Sequence, residues 1–167
     1  MSKAMNRNVA MLPGSFDPPT MGHMNIIERS AELYGKLYVV VADNIQKKCL
    51  FTAVERRSML AVLLKDFKNI EVCVWQGLVV DFARDHHIGV MIRGVRALVD
   101  FGYEFELAMT NKQLFPELEI LFMPTDPTYF ILRSSAIKEM AAYGADISKM
   151  VPPLVAENMR NRIKLLT

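Results

Sequence analysis

Little in this chain calls for an oxidising compartment, a membrane or a bound metal. Only two cysteines occur in 167 residues, Cys49 and Cys73. They form neither a CxxC pair nor a disulfide framework, and such usage reads as reduced thiols in a cytoplasmic protein. No apolar run approaches the roughly 18–20 residues that span a bilayer. The N-terminus lacks the charged start, apolar stretch and small-residue cleavage site of a secretory signal. The formal net charge is only +2, which gives no general case for binding nucleic acid or a membrane surface, so any positive site must be local. Walker A, GxGxxG and HExxH patterns are absent. The three histidines have no zinc spacing; His86 and His87 end a helix candidate, where the helix C-terminus accounts for one of them.

What is present is apolar material, 51% of residues, in a chain of ordinary single-domain size. Five short runs read as buried strands: Val9–Leu12, Leu37–Ala42, Ile70–Val74, Gly89–Ile92 and Ile120–Met123. Helical spacing separates them. Ile26, Ile27, Ser30, Leu33 and Tyr34 share a face after Gly22. Thr52-Ala53-Val54-Glu55 is a capping box that opens a helix through Met59, Leu63 and Leu64. Further helices are predicted over 78–86, 98–113, 134–143 and 153–165. Strand and helix alternate, which predicts an α/β fold: a Rossmann-like, doubly wound, five-stranded parallel sheet with helices on both faces. No repeat, low-complexity tract or linker divides it, so residues 1–167 read as one domain. Ligands of such sheets bind beyond the carboxyl ends of the strands. The segments Gly14–His23, Asp43–Phe51, Arg93–Arg96 and Pro124–Arg133 each follow a strand candidate.

The helix over 98–113 carries two apolar faces, Leu98, Phe101, Phe105 and Ala108 on one, Tyr103 and Leu107 on the other. A surface helix needs one stripe. Either this helix is deeply buried, or its second face meets another subunit.

The first of these loops concentrates groups suited to phosphate. Gly14 permits a sharp turn and close approach. Ser15 offers a hydroxyl, and Pro18 and Pro19 stiffen the loop. Gly22 begins a helix, so His23 lies in a first turn where amides and dipole favour an anion.

This loop resembles the signature of the nucleotidylyltransferase superfamily, a Gly-Thr/Ser-Phe-Asp stretch followed by His-x-Gly-His. Thr20-Met21-Gly22-His23 has threonine for the first histidine, which is similar to the bacterial phosphopantetheine adenylyltransferases. Lys47-Lys48, Phe51-Thr52 and Glu55-Arg56 resemble that family's second segment. Arg93-Gly94-Val95-Arg96, Asp100-Phe101 and Tyr103-Glu104 resemble its most specific one. Asn111, Pro116-Glu117-Leu118-Glu119, Ser134-Ser135 and Lys138-Glu139 continue the match along nearly the whole chain.

The resemblance implies transfer of the adenylyl group of ATP to 4′-phosphopantetheine, giving dephospho-coenzyme A and pyrophosphate by direct in-line attack. It implies that His23, Lys47, Ser15 and Arg96 are catalytic. Ser15, Phe16, His23, Gly94, Val95, Arg96, Glu104 and the segment Tyr129, Phe130, Ile131, Leu132, Arg133, Ser134 and Ser135 would bind nucleotide. Ser15, Lys47, Val79 and Arg93 would hold the acceptor, Val79 along its pantetheine arm, although core packing explains Val79 as well. Arg133 replaces the first of the family's three serines, and either adds a phosphate contact or turns outward. Mg²⁺ would arrive with ATP, held by phosphates and water. The resemblance also implies a homohexamer, and coenzyme A as an inhibitor in the same pocket. Two alternatives stay open: a related enzyme with another phosphorylated acceptor, and a non-catalytic adenine-nucleotide-binding module.

Overall fold

A computed structural model describes residues 5–130 and 133–165. Its elements are β1 (Asn6–Gly14), α1 (Met21–Leu33), β2 (Lys36–Ala42), α2 (Ala53–Leu63), β3 (Ile70–Trp75), α3 (Val79–Asp85), β4 (Ile88–Val95), α4 (Leu98–Leu114), β5 (Glu119–Pro124), a 3-10 turn at Pro127–Tyr129, α5 (Ser134–Ala142) and α6 (Pro153–Lys164). The strands form a parallel sheet in the order β3-β2-β1-β4-β5. This is the doubly wound α/β architecture expected from the alternation. The order runs outward from β1 through β2 to β3, and on the other side through β4 to β5. The topological switch therefore lies between β1 and β4, and opens a crevice at their carboxyl ends.

The strands read as unbroken apolar runs because both sheet faces are covered. Successive side chains point to opposite faces. Ala10 and Leu12, Leu37, Val39 and Val41, and Val90 and Ile92 pack with Ile26 and Ile27 of α1 and Leu60 of α2. Met11, Tyr38, Val40 and Met91 pack instead with Val80, Phe82 and Ala83 of α3. A third cluster joins α5 and α6 to the start of α2, through Ile137, Val155, Met159, Phe51 and Met59. Full burial of each such side chain is worth about 1.5–3 kcal/mol.

Local chemistry sets the element ends. Thr52 Oγ1 accepts from the Glu55 amide at 3.2 Å, and the Glu55 carboxylate accepts from the Thr52 amide at 2.8 Å, so the predicted capping box of α2 forms. At the start of β4 a Cβ on Gly89 would come within 2.8 Å of the Asn6 carbonyl oxygen. Only glycine lets β4 lie this close to β1.

Helix α4 is not deeply buried. Leu98 is 88% exposed and Tyr103 64%, and Phe101, Phe105, Met109 and Leu114 are also exposed, while Ala108 is buried. The deeply buried alternative fails because α4 covers the sheet along a narrow strip. Phe101 and Phe105 instead lean on Phe122 of the edge strand β5, at ring-centroid distances of 5.0 and 6.4 Å. With Phe122 they form an apolar face on this side of the sheet; Leu121, also exposed, points to the other side. Among the described residues no helix is long and apolar enough to cross a membrane.

Candidate active site

The loop from Gly14 to Thr20 leaves β1 and enters α1 at the switch point. Phe16 takes a left-handed backbone, φ 49°, a conformation that costs a non-glycine residue about 1–3 kcal/mol. The cost is offset by its ring, which is buried in the α1–α2 core. A Cβ on Gly14 would meet that ring at 3.0 Å, so glycine at 14 makes room for it. With its ring buried, only the main chain of Phe16 is left to meet the nucleotide that the sequence leads one to expect there.

Two buried charged residues pin the loop from beneath. Asp17 accepts from the Leu50 amide at 2.9 Å, the Phe51 amide at 3.0 Å and Lys138 Nζ at 2.7 Å. Burial raises its carboxyl's pKa, but the lysine and the two amides outweigh burial and hold it below the usual carboxylate range. Arg56 is only 1% exposed. Its guanidinium donates to the carbonyl oxygens of Ser15 at 2.6 Å, Phe51 at 3.1 Å and Ala42 at 3.3 Å, and pairs with Asp43 at 3.3 Å. A planar fork with five donors suits such a set of acceptors. The β1 loop, the end of β2 and the start of α2 are thereby fixed to one another.

His23 stands at the third position of α1, where Thr20 is the N-cap. Thr20 Oγ1 accepts from the His23 amide at 3.2 Å, and His23 Nδ1 accepts from the Thr20 amide at 3.0 Å. The edge of the imidazole meets the Phe16 ring, centroids 5.1 Å apart. Burial first, and then the positive charge of Arg96, push the His23 pKa down to about 4. The imidazole is therefore neutral at pH 7.

Cationic groups approach the β1 loop and its histidine from the ends of two strands, β2 and β4. Lys47 Nζ donates to Ser15 Oγ at 3.0 Å. Arg93, near the end of β4, sets Nε and Nη2 at 2.5 Å from Glu104 of α4 and Nη1 at 3.4 Å from the Pro13 carbonyl. Arg96 Nε pairs with Asp100 at 3.1 Å. The acidic partners hold both guanidinium groups in place.

Described residues on both sides of positions 131–132 reach the same loop and the start of α1. Tyr129 lies against Gly22, its Cβ 3.6 Å from where a Gly22 Cβ would stand. Ser134 Oγ donates to the Pro18 carbonyl at 3.3 Å. Ser135, Phe130 and Arg133 are exposed, Arg133 as the N-cap of α5. Ile131 and Leu132, expected to bind nucleotide, lie outside the described residues. Gly94 and Val95 end β4; Gly94 rests over Ile26 of α1, and Val95 accepts a hydrogen bond from the Thr125 amide at 2.9 Å. Val79 opens α3 and packs, half-buried, against the core on the α3 face. A groove of about 390 Å³ between α2 and α6 is lined by Phe51, Met59, Val62 and Leu154 but by none of Ser15, His23, Lys47, Arg93 or Arg96.

Comparison with known proteins bears on the same segments. The cytidylyltransferase-like family model matches residues 11–140, which span β1 to α5. A phosphopantetheine adenylyltransferase of Dictyoglomus thermophilum is 47% identical over 150 residues, covering 90% of this chain and 92% of the relative. That of Finegoldia magna is 44% identical over 158 residues, covering 95% and 98%, and that of Thermotoga neapolitana is 39% identical over 156 residues, covering 93% and 97%. The chain belongs to the phosphopantetheine adenylyltransferase family. A crystal structure from Vibrio parahaemolyticus, assigned as a nicotinate-nucleotide adenylyltransferase, superposes with a TM-score of 0.70 at 16% identity, covering 97% of this chain and 98% of the other. That likeness concerns the fold.

Within this family member, the roles of Arg56, Asp17, Lys138 and the side chain of Thr20 are not apparent from the sequence. Arg56 left one trace in the sequence: it falls three and four residues before Met59 and Leu60, on the buried stripe of an amphipathic helix. A charged residue there must be buried with partners. Thr20 and His23 hid because the capping-box signature ends in Glu or Gln, whereas here an imidazole fills that position.

Proposed function

We propose that this chain transfers the adenylyl group of ATP to 4′-phosphopantetheine, forming dephospho-coenzyme A and pyrophosphate. The observation that carries the reading is the convergence of Ser15, His23, Lys47, Arg93 and Arg96 at the switch point of a sheet whose relatives bear that name. A phosphate oxygen of the acceptor attacks the α-phosphorus of ATP. The new P–O bond forms as the bond from the α-phosphorus to the bridging oxygen breaks, and pyrophosphate leaves. Such a transfer needs positioning and charge stabilisation more than covalent help.

Lys47 and Ser15 hold the attacking phosphate, with Arg93 on its other side. Arginine's fork suits that task, and a lysine supplies a compact charge. His23 donates to an α-phosphoryl oxygen as charge grows there. Arg96 holds the leaving phosphates, and the start of α5, with Ser134 and Ser135, adds hydroxyls and amides. Tyr129, Phe130 and the strand end Gly94–Val95 would flank the nucleotide, and Val79 the pantetheine arm. Mg²⁺ is carried in by ATP. Among the described residues no cluster of three His, Cys, Asp or Glu could hold a metal, and the cationic set here suits phosphates rather than an ion of its own. The protein works in the cytoplasm as a homohexamer, assembled through the apolar face of α4 and β5, and coenzyme A competes for the same pocket.

The test is an acceptor panel. Purified protein is given labelled ATP or CTP, Mg²⁺, and either 4′-phosphopantetheine, nicotinamide mononucleotide or glycerol 3-phosphate. Dephospho-coenzyme A and pyrophosphate from the first acceptor alone are expected. Product with another acceptor alone, or nucleotide binding with no pyrophosphate release, would sink the reading.

A further inference from the structure

Thr20 and His23 form a capping box in which an imidazole takes the place of the usual carboxylate or carboxamide. The backbone amide sets the direction of the bonds to the ring. A backbone amide can only donate, so the Thr20 N–H at 3.0 Å requires a lone pair on His23 Nδ1. Thr20 Oγ1, 3.1 Å from the same nitrogen, accepts from the His23 amide at 3.2 Å and keeps its own proton to give to Nδ1. A proton on Nδ1 would set its N–H against the Thr20 N–H. In a neutral imidazole the proton must then be on Nε2.

The surroundings act the same way. Thr20 is 1% exposed, so water cannot substitute for its hydroxyl. The buried Phe16 ring packs against the imidazole. Burial and Arg96 both disfavour a charged ring.

We propose that Thr20 is a positioning residue that fixes His23 as the neutral tautomer protonated on Nε2. His23 then serves as an uncharged hydrogen-bond donor whose donor atom is chosen by its own helix cap. Where that donor is aimed, at a phosphoryl oxygen, rests on the adenylyl-transfer reading; the tautomer itself does not. A neutral donor in a site already ringed by Lys47, Arg93 and Arg96 adds stabilisation to a developing oxyanion without adding a fourth charge. It also needs no proton uptake to be ready.

The test reads the tautomer directly, in the full-length protein without substrate. Long-range ¹H–¹⁵N correlation spectra distinguish a protonated from an unprotonated ring nitrogen. At pH 7 the expected pattern for His23 is an unprotonated Nδ1 and a protonated Nε2. In T20V one of the two donors to Nδ1, the hydroxyl, is lost and only the amide remains, so the bias weakens and a measurable Nδ1-protonated population should appear. The turnover number should fall about tenfold or more, with KM for ATP within about twofold. T20S should restore the wild-type spectrum and most of the turnover. A wild-type ring protonated on Nδ1, or on both nitrogens, overturns the proposal. So does a T20V protein that loses turnover with the His23 pattern unchanged, because Thr20 would then be a cap and nothing more. Should T20V fail to fold, the wild-type and T20S spectra still decide the tautomer. Should no acceptor be adenylylated, the spectra stand, and only the reading of the reaction fails.

Discussion

Arg56 Nη1 donates to the carbonyl oxygen of Ser15 at 2.6 Å from a guanidinium that is almost wholly buried. The residue whose hydroxyl contacts Lys47 thus has its main chain held from the core side. R56A would strand the carbonyls of Ser15, Phe51 and Ala42 and leave Asp43 unpaired. Loss of one partner of a buried charged network costs about 3–5 kcal/mol, so chemical denaturation should show a much lower midpoint with little change in slope. R56K keeps the charge but not the fork, and should fall between R56A and wild type. A wild-type midpoint for R56A would mean that the buried network contributes nothing.

The acid side of the stability curve should have two parts. His23 has a pKa of about 4 in the fold, against about 6.5 in the unfolded chain. Between these values the unfolded state binds the extra proton, so stability is full above about pH 6.5 and declines as pH falls towards 4. Asp17 is held below its ordinary range. Its contribution is present above the unfolded carboxyl pKa and is lost as pH falls further. H23Q should remove the upper part and D17N the lower. Denaturant midpoints measured from pH 7 to pH 3 test both; an H23Q curve that still declines between 6.5 and 4 would assign that part to another group.

For the reaction, H23A should lower the turnover number by at least tenfold and leave ATP affinity nearly intact, since a contact made mainly in the transition state acts on kcat. Calorimetry of ATP binding beside steady-state turnover separates the two. A parallel loss of both would make His23 a ground-state binding residue.

Much of this arrangement is legible in the sequence. Both faces of each strand are covered, so the strands read as plain apolar runs, and the alternation with helices names the architecture. The Thr52–Glu55 box marked the start of α2 because its signature is local. Strand order is not local, and nothing in the sequence set β1 beside β4. Asp17 and Arg56 read as ordinary loop and helix residues, because their burial depends on partners 33 and 41 residues away. Helix α4 shows a different limit: an apolar face looks the same in sequence whether its own chain or another copy covers it. Among the described residues no contact explains the arginine at 133.

That apolar face should be covered in solution. Phe101, Phe105 and the other exposed apolar side chains of α4 make a patch that a monomer rarely presents to water. Light scattering should give a hexameric mass for the wild type. F105E should shift it towards smaller species while the circular dichroism of the α/β fold persists. A monomeric wild type would remove assembly as the reason for the patch.

Lys47 and Ser15 touch at 3.0 Å and should act on the acceptor together. K47A removes a charge-assisted contact worth about 1.5–3 kcal/mol, so KM for the phosphorylated acceptor should rise roughly 10- to 100-fold, with KM for ATP much less affected. S15A removes a neutral hydroxyl and should cost less. If the hydroxyl and the ammonium grip one phosphate as a unit, the double variant should lose less than the sum of the singles, because the second deletion acts on a contact already weakened. Steady-state kinetics on the four proteins close this cycle. Strict additivity would mean that Ser15 and Lys47 hold different phosphates, and that the 3.0 Å contact belongs to the free enzyme alone.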